Sequence, residues 1–376
     1  MKVFDKTNGT ATALLRSSLV AGMFFLYLQA AAQSNDSLAV ELYAEGYLLA
    51  TPGNANLKQR PPYFCSYTRA NQPALNMALA RAYYSTNHFR AALALMAGDY
   101  PQANLAAEQS WARNIYEAYI GYRFSEKESI WLDAGVFSSH IGMETAIGRN
   151  NPTLTRSIVA DNSPYYQTGL RLSYRHNPYW FFSMVAVNGW QRITAPLDQM
   201  GTNWGMQIQY TPRNGMVLNS SSFIGRVPNA SGTRYLSHIY SNLWARMPIA
   251  ANLTLAGGWD IGIQETSVAT TKSALWNHVQ ALLQWRFHSN KWQANVRYEH
   301  MFDPNNVTWY VTPLQPFRVG GASVGVDYQP IPSLLIRSEL QWLQAGNNAV
   351  VLPGYPQKRL FLAGLAIAWN YLYERK

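Results

Sequence analysis

The stretch LLQWRFHSNKWQANVRYEHMF, residues 282 to 302, decides the fold class of this chain. Large apolar side chains take every second position on both sides of HSNK, such as Leu283 and Trp285 before it and Val296 and Tyr298 after it. The positions between them carry Gln, Asn, Arg and Glu. Period-two alternation predicts two strands joined by a tight turn. In a soluble hairpin the apolar side faces a core, so the rest of the chain must decide which side faces inward.

The composition favours a protein whose outer surface does not face water. Of the 376 residues, only 13% are charged and 14% are aromatic, including 13 Trp and 24 Tyr. Soluble domains carry roughly 25% charged residues. No run of eighteen apolar residues occurs after residue 32, which excludes a membrane protein built from helices.

Residues 1–32 have the layout of a secretory signal peptide. Lys2, Lys6 and Arg16 precede the apolar stretch SLVAGMFFLYLQAAA, which ends in small residues. We predict cleavage after Ala32; a membrane-anchoring helix is the alternative, although this apolar core is short for a span. Cleavage would lower the net charge from +10 to +8. No Lys/Arg cluster suggests nucleic acid as a partner, and a single cysteine, Cys65, excludes an internal disulfide.

Short and long connections alternate along residues 33–376. Seven tight turns are predicted, at 85–88, 125–128, 175–178, 211–215, 247–252, 288–291 and 329–333. Eight longer segments rich in Asn, Gly, Pro, Ser and Thr lie between them, at 51–74, 99–113, 139–164, 190–201, 226–234, 263–273, 303–317 and 344–358. This pattern predicts an all-β fold, a transmembrane antiparallel up-and-down β-barrel of about 16 strands, with short periplasmic turns and long extracellular loops.

The last predicted strand, 359–371, indicates which side faces lipid. Its apolar parity runs from Phe361 to Tyr371, roughly 33 Å at about 3.3 Å per residue, which matches the apolar band of a barrel once the strand is tilted. By the same reasoning Tyr166, Leu170 and Tyr174 face outward. A soluble sandwich or lipocalin-like domain is the alternative, and long aromatic-capped faces without disulfides fit it poorly.

The inward parity carries charges of both signs, which predicts a water-filled pore and no sealed core. We predict pore-lining roles for Arg123, Arg171, Arg175, Arg246, Arg286, Arg297, Arg337, Glu299 and Glu339. Arg123, Arg175, Arg246 and Arg286 each end a strand beside a short turn, where a basic ring would favour anions. The alternative is a polar rim whose arginines pair with phosphates or neighbouring acids.

The longest internal loop, 139–164, follows the fifth predicted strand. Its Gly, Asn and Pro content indicates a shaped loop that folds into the lumen and narrows it. The side chains that would then line the constriction are His140, Glu144, Arg149, Arg156 and Asp161. An exposed surface loop is the alternative.

Three segments resemble the OmpL-like β-barrel porin family of Bacteroidetes-type bacteria. These are EGYL near the mature N-terminus, IWLDAGVFSSHIGMET, and SPYYQTGLRLSY, with 129–175 the most specific part. The resemblance implies an outer-membrane porin with a periplasmic N-terminus, and it brings no catalytic motif. The chain departs from common barrels in ending YLYERK, without a terminal aromatic residue.

These observations predict a porin in the outer membrane of a Gram-negative bacterium, a passive diffusion channel for small hydrophilic solutes with a preference for anions. An outer-membrane hydrolase is one alternative, but the seven histidines are dispersed and belong to no catalytic or metal-binding motif. We therefore expect neither enzyme activity nor a cofactor or metal. A second alternative is a non-conducting barrel that serves as a subunit of an envelope assembly or as a surface receptor. Outer-membrane lipid and the solutes are the expected partners, and a homo-oligomer is an expectation by analogy.

Overall fold

The computed structural model describes residues 36–54, 56–125, 128–194, 203–229, 234–266, 273–308, 317–346 and 358–375. The predicted signal peptide, 1–32, lies outside them. Sixteen strands make up most of this part of the chain. Their bounds are β1 Ser37–Ala50, β2 Pro73–Ser85, β3 Phe89–Ala97, β4 Ile115–Arg123, β5 Ser129–Ser138, β6 Tyr166–Arg175, β7 Trp180–Val187, β8 Asn203–Tyr210, β9 Val217–Pro228, β10 Tyr235–Ala250, β11 Leu253–Glu265, β12 Ser273–Phe287, β13 Trp292–Asp303, β14 Phe317–Ile331, β15 Leu334–Ala345 and β16 Arg359–Arg375.

The strands form one closed antiparallel barrel. Each strand pairs with its neighbours in sequence, and β16 pairs with β1. The opening hairpin is β12–β13, with Leu283 opposite Val296 and Trp285 opposite Ala294. Closure leaves no unpaired sheet edge, which in lipid would cost several kcal/mol for each exposed backbone group. The predicted up-and-down barrel of sixteen strands is confirmed.

Short connections gather at one end of the barrel, the turn end, and long ones at the other, the loop end. Each of the seven predicted tight turns falls between two observed strands, although 126 and 127 lie outside the described residues. Three long connections matter below: L1 (51–72), L3 (139–165) and L4 (188–202). L2 (98–114) contains the short helix α1, Asp99–Asn104, and L3 contains a 3₁₀ turn, Gly148–Asn150, and α2, Ile158–Asp161. None of the described helices is long and apolar enough to cross a membrane.

The apolar parity faces outward, as predicted. In β16, Phe361, Leu365, Ile367, Trp369 and Tyr371 are all exposed on the outer face. The prediction for Tyr166 was wrong, because this side chain is buried. Loops cover the start of β6, and the Tyr166 hydroxyl donates a hydrogen bond to Glu108 Oε1 of L2 at 3.1 Å.

The lumen is not an open tube, so the prediction of a wall without a sealed core was partly wrong. Near the loop end the inner wall is apolar, and its side chains pack with L1 and L3 into one buried cluster. Wall members of this cluster include Phe223, Trp276, Val319 and Leu343. They were missed because the charged inner positions of each strand, mostly nearer the turn end, dominated the interpretation.

Candidate functional site: the loop-lined lumen

L3 crosses the inside of the barrel and is fixed to strands on several sides. The backbone amide of Gly142 donates to Asn242 Oδ1 of β10 at 3.2 Å. The amide of Ile158 donates to Glu299 Oε2 of β13 at 2.6 Å. These bonds place the loop within the lumen. The exposed-loop alternative therefore does not describe 139–164.

Two arginines of the wall hold L3 from the opposite direction. Arg337 Nη1 donates to the Gly148 carbonyl at 2.8 Å, and its Nη2 donates to the Asn151 carbonyl at 3.0 Å. Arg297 Nη1 donates to Thr153 Oγ1 at 2.8 Å. Both guanidiniums are almost fully buried, and a buried arginine is tolerated only when its donors are used. Each arginine therefore serves as an anchor for the loop.

Carboxylates on the same wall balance these charges. Arg337 also bonds Asp327, at 3.1 Å from Nε and 2.8 Å from Nη2. Arg297 Nη2 lies 3.5 Å from one carboxylate oxygen of both Glu299 and Glu339. Of the nine predicted pore-lining residues, Arg297, Arg337, Glu299 and Glu339 lie on the inner wall, but L3 covers them. They do not border either of the two cavities described below.

Four of the five loop residues predicted to line a constriction are buried: His140, Glu144, Arg156 and Asp161. Arg156 Nε donates to the Thr145 carbonyl at 2.9 Å and its guanidinium also bonds the Ala146 carbonyl. These four side chains form the inner packing of L3. Only Arg149 is half-exposed, and it borders a cavity.

Burial sets the protonation preferences inside the loop. His140 lies 2.9 Å from Gln167 Oε1 and 2.9 Å from the Ser222 carbonyl, and burial lowers the pKa of its imidazole. Burial raises the pKa of the Glu144 carboxyl, one oxygen of which accepts from the Ser157 amide at 2.9 Å. Burial likewise raises the pKa of Asp161, which accepts from Ser66 Oγ at 2.8 Å. Loss of water disfavours the charged form in all three cases.

On the β3–β6 side of the wall, cations are neutralised by acids. Asp133 is fully buried between two arginines, with Arg90 Nη2 at 2.7 Å and Arg171 Nε at 2.9 Å. On the neighbouring strands Arg81 Nη1 lies 3.0 Å from Glu41. The predicted pore-lining residue Arg171 therefore carries little uncompensated charge.

The turn end of the lumen is different. A cavity of about 520 Å³, here called the turn-end cavity, is bordered by Arg149, Arg246, Arg286 and Lys291. In the described part of the chain none of the four lies within 4 Å of a carboxylate; the ion pairs there involve other cations. The one carboxylate bordering the cavity, Asp327, is already bound by Arg337. Asn and Gln side chains complete much of the lining.

The predicted ring of four arginines is therefore only partly assembled. Arg246 and Arg286 share the turn-end cavity, whereas Arg123 and Arg175 do not border it. The Arg175 guanidinium lies 5.3 Å from the ring centre of Phe181 instead. Sequence reasoning missed Lys291, whose position in the turn after Arg286 was a usable signal. The described residues contain no group of three or more His, Cys, Asp or Glu side chains that could hold a metal ion.

Solved structures share this fold at very low sequence identity. The anion-selective porin from Comamonas acidovorans matches with a TM-score of 0.57 and 8% identity, over 90% of this chain and 100% of its own. The outer membrane channel DcaP of Acinetobacter baumannii matches with a TM-score of 0.59 and 8% identity, over 89% and 97%. OmpT of Vibrio cholerae, in its trimer form, matches with a TM-score of 0.54 and 9% identity, over 90% and 99%.

A search of curated protein sequences finds no match. The family model described as "Putative beta-barrel porin-2, OmpL-like" matches residues 37–369, which is nearly the whole barrel. A closed barrel of sixteen strands with an apolar outer face belongs in the outer membrane of Gram-negative bacteria. The chain belongs to the OmpL-like β-barrel porin-2 family.

Proposed function

We propose that this protein is a passive diffusion channel for small hydrophilic solutes that favours anions. The observation that carries the proposal is the turn-end cavity, where four cationic side chains face one carboxylate that is already paired. Cations gathered in a low-dielectric passage raise the local concentration of anions and disfavour cations.

The packed loops indicate how wide the passage is. L3 and L1 fill much of the lumen and are joined to each other, with Ser66 Oγ donating to Asp161. L1 also reaches the wall, where Arg60 Nη2 donates to Gln341 Oε1 at 3.0 Å. These contacts support a narrow channel with a low conductance and a strong influence of single charges on the passing ion.

The same packing supports a second candidate, a non-conducting barrel that acts as an assembly subunit or surface receptor. The buried apolar cluster at the loop end is the specific observation in its favour. Purified protein that stays silent in a planar bilayer and co-purifies with other envelope proteins would favour this candidate.

The test of the channel is a reversal-potential measurement in a planar bilayer under a KCl gradient. We expect anion preference, and a shift toward cations in the double variant Arg246→Gln, Arg286→Gln. Arg359→Gln is the control, because Arg359 is exposed at the loop end and borders neither cavity. Cation preference that the double variant leaves unchanged would remove the proposed anion selectivity.

We also propose that the protein forms a homo-oligomer. The outer face of β2, β3 and β5 presents the small side chains Ala82, Ala91 and Ala134, which with Leu93 and Ile120 line a shallow apolar groove. The Vibrio cholerae OmpT structure in trimer form supports the expectation by analogy. Mass measurement of the complex in mild detergent tests it, and a monomeric mass would overturn it. A Bacteroidetes-type host is a further proposal that rests on sequence resemblance.

A further inference from the structure

A second cavity, of about 460 Å³, lies at the loop end of the lumen. It shares no lining residue with the turn-end cavity, and its volume is in the range typical of small-molecule sites. Trp190 of L4 borders it together with His238 of β10, Gln264 of β11 and Trp276 of β12. We call it the aromatic cavity.

The aromatic cavity is built on a row of packed rings. The Trp190 ring lies edge-to-face against His238, with ring centres 4.7 Å apart, and against Tyr240 at 4.8 Å. Tyr240 in turn packs against Trp276 at 5.5 Å. Neighbouring strands thus hold the rings in fixed positions, and the ring row is part of the apolar cluster described above.

Two of these rings carry polar atoms that the protein leaves unused. His238 Nδ1 lies 3.1 Å from Gln264 Oε1. Because an amide oxygen only accepts, Nδ1 carries the hydrogen and Nε2 is left as an acceptor. Nε2 of His238 and the Nε1–H donor of Trp276 have no hydrogen-bond partner among the described residues. Both side chains are at least 97% buried, so each unpaired atom costs about 1–3 kcal/mol.

Gly262 makes room for one of these rings. A Cβ added at this position would overlap the Trp276 indole at Nε1 and its neighbouring carbons. Any larger residue would push the indole out of its place beside Tyr240. The glycine therefore keeps the Trp276 donor in the ring row.

The geometry points to a small sugar as the ligand of the aromatic cavity. A hydroxyl group both donates and accepts, so hydroxyls can satisfy His238 Nε2 and Trp276 Nε1–H together. A sugar ring also presents C–H groups that pack against aromatic rings. An apolar solute would leave both buried atoms unpaired. The one cation at the inner rim, Arg192, already donates from Nη1 to the Ala107 carbonyl, which favours an uncharged sugar.

This inference rests on the proposed function in one respect, because it places the sugar site at the entrance of the proposed channel. Binding is nevertheless measurable without transport. Sugar binding by protein that does not conduct would keep the site and remove the channel. Conductance without saturable sugar binding would keep the channel and remove the site.

The test is a saturation-transfer NMR titration of the mature protein in detergent micelles with glucose, galactose and maltose. Glycine is the comparison ligand, because it is small and hydrophilic but has neither a ring nor a hydroxyl group. We expect saturable binding of at least one sugar and none of glycine. The wild-type titration decides the ligand class without any variant; no saturable binding of the three sugars would overturn the proposal.

The variants His238→Phe and Trp276→Phe locate the site, because each keeps an aromatic ring and removes one polar atom. We expect each to weaken sugar binding about tenfold, since a lost hydrogen bond of about 1.4 kcal/mol corresponds to that factor. Trp285→Phe is the matched control on the lipid-facing side of the same strand and should bind as wild type does. Folded variants that bind sugar as tightly as wild type would refute the assignment to this cavity.

Discussion

Arg297 of β13 and Thr155 of L3 are joined by two hydrogen bonds, from Nη1 to the Thr155 carbonyl at 2.6 Å and from Nη2 to the Thr155 hydroxyl at 3.0 Å. A single wall side chain thus holds both the backbone and a side chain of the loop. The partner of the same loop segment on the next hairpin is Glu339, whose Oε2 accepts from the Thr155 amide at 2.5 Å. The position of L3 is therefore fixed by buried charge on both sides of one threonine.

Replacing Arg297 tests this anchor. We expect Arg297→Met to destabilise the folded protein by about 3–5 kcal/mol, because removing one partner leaves the buried carboxylates of Glu299 and Glu339 uncompensated. Thermal unfolding followed by circular dichroism in detergent measures the loss. The exposed Arg359→Met should change the midpoint little. An unchanged midpoint for Arg297→Met would contradict the anchoring role.

Shortening L3 tests the constriction. We expect replacement of 145–160 by a short Gly-Ser linker to raise the single-channel conductance, because the loop occupies the lumen and the freed wall charges become hydrated. Arg297→Met should raise the conductance or its noise by loosening the same loop without shortening it. A correctly folded deletion variant with wild-type conductance would show that the passage runs elsewhere.

A glycine at the 3₁₀ turn of L3 gives a steric test. A Cβ at Gly148 would overlap the Glu45 carboxylate and the Tyr67 hydroxyl, and both of those side chains are fully buried. We expect Gly148→Ala to lower stability by about 1–3 kcal/mol through overpacking. Gly320→Ala is the control, because its Cβ would meet no atom closer than 3.8 Å. Equal thermal midpoints for the two variants would refute this account of the seat of L3.

The raised pKa of Glu144 predicts a dependence of stability on pH. Burial favours the protonated carboxyl in the folded state, so its contribution is fully present below the ordinary value of 4.5 and is lost as pH rises through the raised folded pKa. Glu144→Gln, which stays neutral, should match wild type near pH 4 and become relatively more stable toward pH 8. Unfolding midpoints across this range measure the difference.

The exposed Glu128→Gln is the control for the pH series and should follow wild type at every pH. A Glu144→Gln variant that is equally or less stable than wild type at pH 8 would contradict the sign of the effect. It would show that Arg297, which lowers the pKa of Glu144 through its charge, outweighs burial.

The barrel itself was predictable because its rules are local. Trp285 and Val296 face lipid as their parity requires, and each tight turn shows its own Gly, Pro or Asn signal. The interior was less predictable because it depends on contacts distant in sequence. His140 meets Ser222, and Arg337 meets Gly148, and no periodicity encodes such pairs.

Part of the missed interior did leave a trace in the sequence. In β16 the run Leu360, Phe361, Leu362 is apolar on both parities, and the two leucines prove to be buried on the inner side. An apolar residue on the inner parity near a long loop indicates that a loop packs there. Tyr166 was misplaced for a related reason, since only its contact with Glu108 of L2 removes it from the outer surface.

The tip of L3 rests on residues from the two extremes of the chain, Glu45 of β1 beside Gly148 and Arg337 of β15 bonded to its carbonyl. These supports meet only once β16 has zipped onto β1. A half-assembled chain therefore keeps the loop unseated and its charged partners wet. Seating of the loop marks the completion of the cylinder, and it adds a late energetic step that separates finished molecules from those still open during insertion.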